Sequence, residues 1–500
     1  MNIKRAKQEI KDAIEAYLLK DEYGNYEIPA IRQRPIFLLG APGIGKTQIM
    51  EQIARECQLG LVSYTITHHT RQSAIGLPFI SKNMYGGKEY SVTEYTMSEI
   101  IASVYNKMEE TGLREGILFI DEINCVSETL APAMLQFLQC KTFGNHAVPE
   151  GWIIVAAGNP AEYNKSVREF DVVTMDRVKK IDVEPDFTVW KEYAYQQGIH
   201  NAIISYLNSR VAHFYQMETT VDGTFFATPR GWEDLSRLLQ VYEMLGKTVD
   251  REVVMQYIQY PKIAKDFANY LELYHKYQTD YQIEEIMQGR IDPILIQKVG
   301  HASFDEKLSV VSLLLSTIID NFRKVYKKEA CVSMLFDTLR QYKTELADGN
   351  DAMAALNELT KEKQDQLAFK VKAQILNREE GQALRYTIEQ LESYQKLLKL
   401  EGVTESDAAF DKIRGEFTKE NGSYQTEFDK AGQALEYAFD FMEIAFHHSQ
   451  EMISFVTELN ANFYSVQFLQ SYECERYYQY NKNLLFDEKR KNILNRIENL

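Results

Sequence analysis

All 11 prolines of this chain lie between Pro29 and Pro293, and none occurs from Ile294 to Leu500. Proline removes a backbone donor and breaks helix interiors. The front of the chain therefore turns abruptly at defined points, while the rear is free to run in long helices. The whole chain has 500 residues and a mass of 58.0 kDa, too much for one compact core. At roughly 100–200 residues per domain, about three domains are expected. It is 45% hydrophobic and 26% charged, which excludes wholesale disorder. A formal charge of -16 disfavours a protein that coats nucleic acid or anionic membrane.

The five cysteines, Cys57, Cys125, Cys140, Cys331 and Cys474, are widely spaced and form no CxxC pair. Free thiols in a reducing cytosol are expected, and no disulfide framework or zinc knuckle. No apolar window approaches the length of a membrane span, and a cytoplasmic location is expected. Ile3, Ala6, Ile10, Ala13 and Tyr17 follow helical spacing, as in a helix packed on its own domain.

The front half alternates strand and helix patterns. Pro35-Ile36-Phe37-Leu38-Leu39, Leu61–Ile66, Ile117–Ile120 and Trp152–Ala157 read as buried strands, with Ile181–Val183 as the last. Helices are expected over about Thr47–Cys57, Met97–Glu110 and Leu130–Leu138. A hairpin around Gly86-Gly87 is expected over about 80–95. This order implies a parallel α/β sheet within 1–185. From Asp186 to Asp280 the pattern is helical and tyrosine-rich, and from there on helical almost throughout. Leu384, Ile388, Leu391 and Leu398 recur at helical spacing. So do Leu435, Phe439, Met442, Phe446, Ile453 and Val456, with Ser449 interrupting. A bundle or antiparallel coiled pair is expected over 301–500. Glu416 to Phe428 is polar and is expected as a loop or exposed linker. Tyr472, Tyr477, Tyr478 and Tyr480 are expected to pack in amphipathic helices. His447 and His448 are adjacent on a helix, so their side chains diverge and cannot chelate one ion. His68 and His69 are expected in an ordinary loop.

Gly40-Ala41-Pro42-Gly43-Ile44-Gly45-Lys46-Thr47 fits GxxxxGK followed by Ser or Thr. It follows a strand and opens a helix, the context that gives this motif its meaning. Its glycines let successive N–H groups curl around phosphate oxygens, and the helix N-terminus favours negative charge. Lys46 would reach the β- and γ-phosphates, Thr47 would ligate Mg²⁺, and Gln48 stands beside them on the first helical turn. Ile117–Ile120 runs into Asp121-Glu122, which places two carboxylates at the carboxyl edge of the sheet. Asp121 would hold the magnesium, directly or through water. Glu122 would orient or deprotonate an attacking water. Ala156-Ala157-Gly158-Asn159-Pro160 again ends a strand in a polar residue, and Asn159 could bond the γ-phosphate or that water.

These motifs, in this order, resemble those of the AAA+ ATPases, and within them the MoxR-like branch, over about residues 30–260. Two further segments strengthen the resemblance. Val173-Thr174-Met175-Asp176-Arg177-Val178 is similar to the branch's arginine-finger segment, although Val178 stands where the branch usually has Phe. Arg168 lies nearby and could serve instead. Ala227-Thr228-Pro229-Arg230-Gly231-Trp232 is similar to the family's sensor-two segment, which makes Arg230 a nucleotide contact from the lid.

The resemblance implies a P-loop AAA+ parallel-sheet core and a helical lid over 186–300, followed by the all-α C-terminal region that the helical spacing predicts. It implies ATP and Mg²⁺ as cofactors and a homo-hexameric ring, because Arg177 would act on the neighbouring subunit. It also implies remodelling of a protein client, with a von Willebrand factor A domain protein as partner. ATP and GTP are not distinguished by these motifs. A nucleic-acid-directed motor or defence NTPase shares such a core but needs a basic track. A nucleotide-gated scaffold is opposed by the intact set Lys46, Asp121, Glu122, Asn159 and Arg177.

Overall fold

The computed structural model describes residues 1–68, 71–143, 145–163, 167, 170–221, 223–447 and 449–482. They divide into two compact units. The first comprises Met1–Val189, Thr228–Arg230 and Asp365–Asn377. The second comprises Trp190–Ala227, Gly231–Gln364 and the described residues from Arg378 on.

The strands of the first unit are β1 (Ile36–Gly40), β2 (Gly60–Thr65), β3 (Pro78–Tyr85), β4 (Lys88–Tyr95), β5 (Gly116–Asp121), β6 (Thr142–Phe143), β7 (His146–Ala147), β8 (Trp152–Gly158) and β9 (Lys179–Val183). Five of them form a parallel sheet in the order β2-β5-β8-β1-β9. Ile117, Leu118, Phe119 and Ile120 of β5 are fully buried, as are Val155, Ala156 and Ala157 of β8. Strands covered on both faces lose the usual alternation, which is why these segments are continuous apolar runs. Helices Lys46–Glu56, Glu99–Thr111 and Ala131–Cys140 connect them. The N-terminal helix Ile3–Leu18 is capped by Asn2, whose side chain accepts from the Arg5 N–H at 2.9 Å. It buries Ala6, Ile10, Ala13 and Ile14, the stripe expected of a helix packed on its own domain.

The expected hairpin is present as β3 and β4, paired from Pro78↔Tyr95 to Tyr85↔Lys88. Gly86 and Gly87 both have positive φ, the requirement of a tight two-residue hairpin turn. Phe79, Ile80, Met84, Tyr85 and Tyr90 are exposed on it.

Among the described residues the second unit carries one strand pair, the hairpin β10 (Gln216–Thr220) and β11 (Gly223–Ala227), and its other regular elements are helices. This corrects the expectation of helix throughout 186–280. Thr219, Thr220, Thr224, Phe225 and Phe226 are strand-favouring residues that fit a half-buried pleated surface. Most of the segment expected as a lid, apart from 186–189 and Thr228–Arg230, lies in this unit with the C-terminal helices other than Asp365–Asn377. A partly buried ion pair joins them: Lys191 Nζ to Glu458 Oε1 at 2.6 Å. Tyr195 and Asn208 also donate to Glu458, at 2.9 and 3.0 Å, so its oxygens are met from several directions.

The proline-free rear folds into Phe304–Ala347, Ala352–Ala373, Arg378–Glu401, Ser406–Phe446, Gln450–Ala461 and Phe463–Ser471. The stretch from Glu416 to Phe428 is therefore no linker: it is the middle of a 41-residue helix. Phe417 packs against a core that includes Leu335, Leu391 and Ile413. The Phe428 ring lies 4.8 Å from that of Phe468. Its acids are bound by neighbouring helices, with Tyr386 donating to Glu420 at 2.9 Å and Lys328 paired with Glu427 at 2.6 Å. A polar run with such anchors is the wet face of a helix.

The apolar spacing from Leu435 to Val456 is not one helix: the first helix ends at Phe446, His447 has φ 50 outside it, and the next begins at Gln450, which corrects the reading of His447 as helical. His448 lies outside the described residues. Of the four late tyrosines, Tyr472 stacks on Phe468, Tyr477 is buried, Tyr480 stacks on Phe439, and Tyr478 is half exposed.

Gly415 and Gly422 sit inside this long helix with open space where a Cβ would project. Replacing both with alanine is expected to stabilise the protein by roughly 0.5–1 kcal/mol per site. Thermal or urea unfolding of the double variant checks this; no gain would mean that the segment is not helical in solution.

Candidate active site at the carboxyl edge of the parallel sheet

The loop between β1 and the helix Lys46–Glu56 curls because Gly43 and Gly45 adopt φ of +76° and +96°, where side chains are strained. Gly40 and Ala41 face inward, Ile44 is buried beside them, and Pro42 bends the outer turn. Lys46 opens the helix and is 8% exposed. Its ammonium donates to the Gly40 and Ala41 carbonyls at 2.8 and 2.9 Å and to Asn159 Oδ1 at 2.9 Å. Burial pulls its pKa down from 10.5 to about 8, against the opposing pull of Asp121; nearby Arg230 lowers it further. Gln48 is exposed on the first helical turn.

The acids stand one strand beyond β8. Asp121 Oδ2 accepts from the Thr47 hydroxyl at 2.7 Å, and Oδ1 accepts from the Glu122 N–H at 2.9 Å. Glu122 has φ 56, which turns its carboxylate out of the strand direction. Thr67 donates to its Oε2 at 3.3 Å. The structure thus brings Lys46, Thr47, Asp121, Glu122 and Asn159 to one edge, from β1, β5 and β8. Two residues that sequence reasoning did not single out belong with them. One is Thr67, and the other is Asn124, buried at 4% exposure and bonded to the Asn159 backbone. Both are ordinary polar residues after a strand, and only the sheet order shows where they point.

The donor set fits a hard divalent cation. Thr47 and Asp121 offer one hydroxyl and one carboxylate, already 2.7 Å apart. Among the described residues no group of three or more His, Cys, Asp and Glu could hold an ion alone. Magnesium is commonly held in this way, by few protein oxygens together with phosphates and water.

Thr228 and Arg230 belong to the same unit as the loop. The Arg230 N–H donates to the Gly43 carbonyl at 3.2 Å, and Thr228 is buried against Gly43. The Arg230 side chain is exposed. Arg177 is also exposed and donates to Gln139 Oε1. The short helix before it, Val172–Met175, is capped by Asp171 at 2.8 Å. Val178 is 4% exposed within the sheet core, where its short side chain is accommodated. Arg168 and His69 lie outside the described residues.

A strand–phosphate loop–helix unit, with acids and a polar turn on the adjacent strands, defines a nucleoside-triphosphate-binding core. Residues 35–178 match the family model described as AAA domain (dynein-related subfamily), so the first unit carries an AAA domain. No curated protein matches the chain. Among solved structures, a RuvB mutant of Thermotoga maritima is 15% identical with a TM-score of 0.28, over 52% of this chain and 69% of that one.

The lysine has a consequence for stability. Its folded pKa of about 8 lies below 10.5, so the unfolded chain binds more protons between these values. Stability attributable to this group therefore rises with pH across about 8 to 10.5, by an amount on the order of 3 kcal/mol. Lys46→Met removes the effect. The stability of the parent relative to this variant is expected to increase from pH 7.5 to pH 10 in urea unfolding without nucleotide. A constant difference would show that the ammonium is not buried.

Proposed function

We propose that this chain is a Mg²⁺-dependent ATPase of the MoxR-like AAA+ kind, acting as a ring, most simply a hexamer, that remodels a protein client. The observation that carries the reading is the convergence of Lys46, Thr47, Asp121, Glu122 and Asn159 at one sheet edge. The loop from Gly40 to Gly45 presents N–H groups to the phosphates. Lys46 exchanges its carbonyl acceptors for phosphate oxygens. Magnesium, held by Thr47 and Asp121 when bound, supplies charge neutralisation at the β- and γ-phosphates. Glu122 accepts a proton from water as the water oxygen bonds to the γ-phosphorus. The bond to the bridging oxygen breaks, and ADP leaves with that electron pair. Asn159 orients the water or the γ-phosphate.

Arg230 contacts the nucleotide of its own subunit. Arg177, exposed beside the bare side chains of Val172 and Val173, serves the site of the next subunit. Its guanidinium would stabilise charge on the transferred phosphoryl. The partner suggested by the MoxR-like resemblance is a protein with a von Willebrand factor A domain. The exposed hairpin β3–β4 is the client-contacting candidate.

Two measurements test the reading. Glu122→Gln is expected to lower phosphate release from ATP by about 10²–10⁴-fold with binding retained, whereas Lys46→Ala loses binding. Hydrolysis by Glu122→Gln at the parent rate would remove Glu122 from the mechanism; running GTP in parallel decides the base preference. Arg177→Ala is expected to lower activity by about 10³-fold or more. Mixing it with Lys46→Ala is expected to restore a fraction of activity, since an intact finger then faces an intact site. No recovery on mixing would count against action between subunits.

A further inference from the structure

The parallel ladder between β5 and β8 ends at Ile120↔Ala156, two residues short of Gly158. The main chain of β5 leaves at this point, because Glu122 turns at φ 56 and Ile123–Cys125 forms a short helical turn. The backbone of Asn159 would therefore have no strand neighbour on that side. The Asn124 side chain takes that place. Its Nδ2 donates to the Asn159 carbonyl at 2.7 Å, and its Oδ1 accepts from the Asn159 N–H at 3.3 Å. One carboxamide thus bonds both backbone groups of one residue, as a paired strand would.

Gly158 completes the fit: a Cβ there would lie 2.5 Å from Asn124 Oδ1. The held residue is the one whose own side chain receives the Lys46 ammonium at 2.9 Å. The holding residue is two positions from Glu122. Asn124 therefore ties the turn that carries the acid to the turn that carries the amide.

We propose that Asn124 is a positioning residue for hydrolysis, fixing Asn159 relative to Glu122 by standing in for the missing strand. The proposal rests on the hydrolytic reading above. Only a side chain with a donor and an acceptor side by side can do this. An aspartate of the same shape has no donor when ionised and sets an oxygen against the Asn159 carbonyl. Once protonated, it can donate again.

The test follows from that asymmetry. Asn124→Asp, Asn124→Ala and Gly158→Ala are assayed with the full chain for ATP binding and phosphate release between pH 6 and pH 8.5, each against wild type at the same pH. All three are expected to lose about tenfold or more in kcat at pH 8, with KM for ATP within about threefold. In Asn124→Asp alone the ratio to wild type is expected to recover several-fold as pH falls, because burial raises a carboxyl's pKa. Loss without recovery, or equal loss in binding and turnover, would assign Asn124 a merely structural role and overturn the proposal. Wild-type turnover in all three would overturn it as well. Should Asn124→Asp fail to fold, turnover by Gly158→Ala decides, since its clash displaces the same carboxamide. Wild-type phosphate release is a separate result: its absence would sink the hydrolytic reading, whereas unaffected variants of an active wild type sink only the clamp.

Discussion

Lys46 carries its ammonium into a place where water reaches little of it, and a buried cation must be met by oxygen. The oxygens come from two carbonyls of its own loop and from Asn159 at the end of β8. That demand draws the β1 and β8 ends together. It is met only because the sheet order sets β1 beside β8 and β8 beside β5. The acids of β5 arrive as near neighbours of the same charge. Asp121 pulls against the desolvation that would otherwise lower the lysine further. An electrostatic problem and a topological one thus have a single solution at this edge.

The second unit handles a buried charge in the opposite sense. Here a carboxylate, Glu458, is taken from water and surrounded by Lys191, Tyr195 and Asn208. These donors come from helices that precede it by some 250 residues in the chain, 208 to 458 being the shortest of the three separations. Such a network fixes which helices meet, because removing any one donor leaves polar atoms stranded.

Much of the first unit was legible in the chain alone. Strands buried on both faces must be apolar throughout, so Ile117–Ile120 and Trp152–Ala157 announced themselves and their polar ends marked the edge. The same logic located the phosphate loop and the hairpin at Gly86-Gly87. Misreadings arose where local composition was ambiguous. The wet face from Glu416 to Phe428 is polar for the same reason a linker would be, and its anchors, Phe417 and Phe428, are too far apart to advertise a stripe. The β10–β11 hairpin is short and lies amid helices. Asn124 and Thr67 were illegible for a different reason. Their partners are distant in sequence, and nothing in a lone asparagine tells that its carboxamide replaces a strand.

Among the described residues the β3–β4 hairpin pairs with no other strand, and its apolar side chains stand in solvent on both faces. A two-stranded ribbon of this kind contributes little to the free energy of the sheet core. Substitutions along it are therefore nearly neutral for folding, whereas almost any change in β5 or β8 is not. What this segment touches can change without disturbing the sheet edge that carries Lys46, Asp121 and Glu122. The hairpin is therefore the part of this unit whose side chains the fold constrains least.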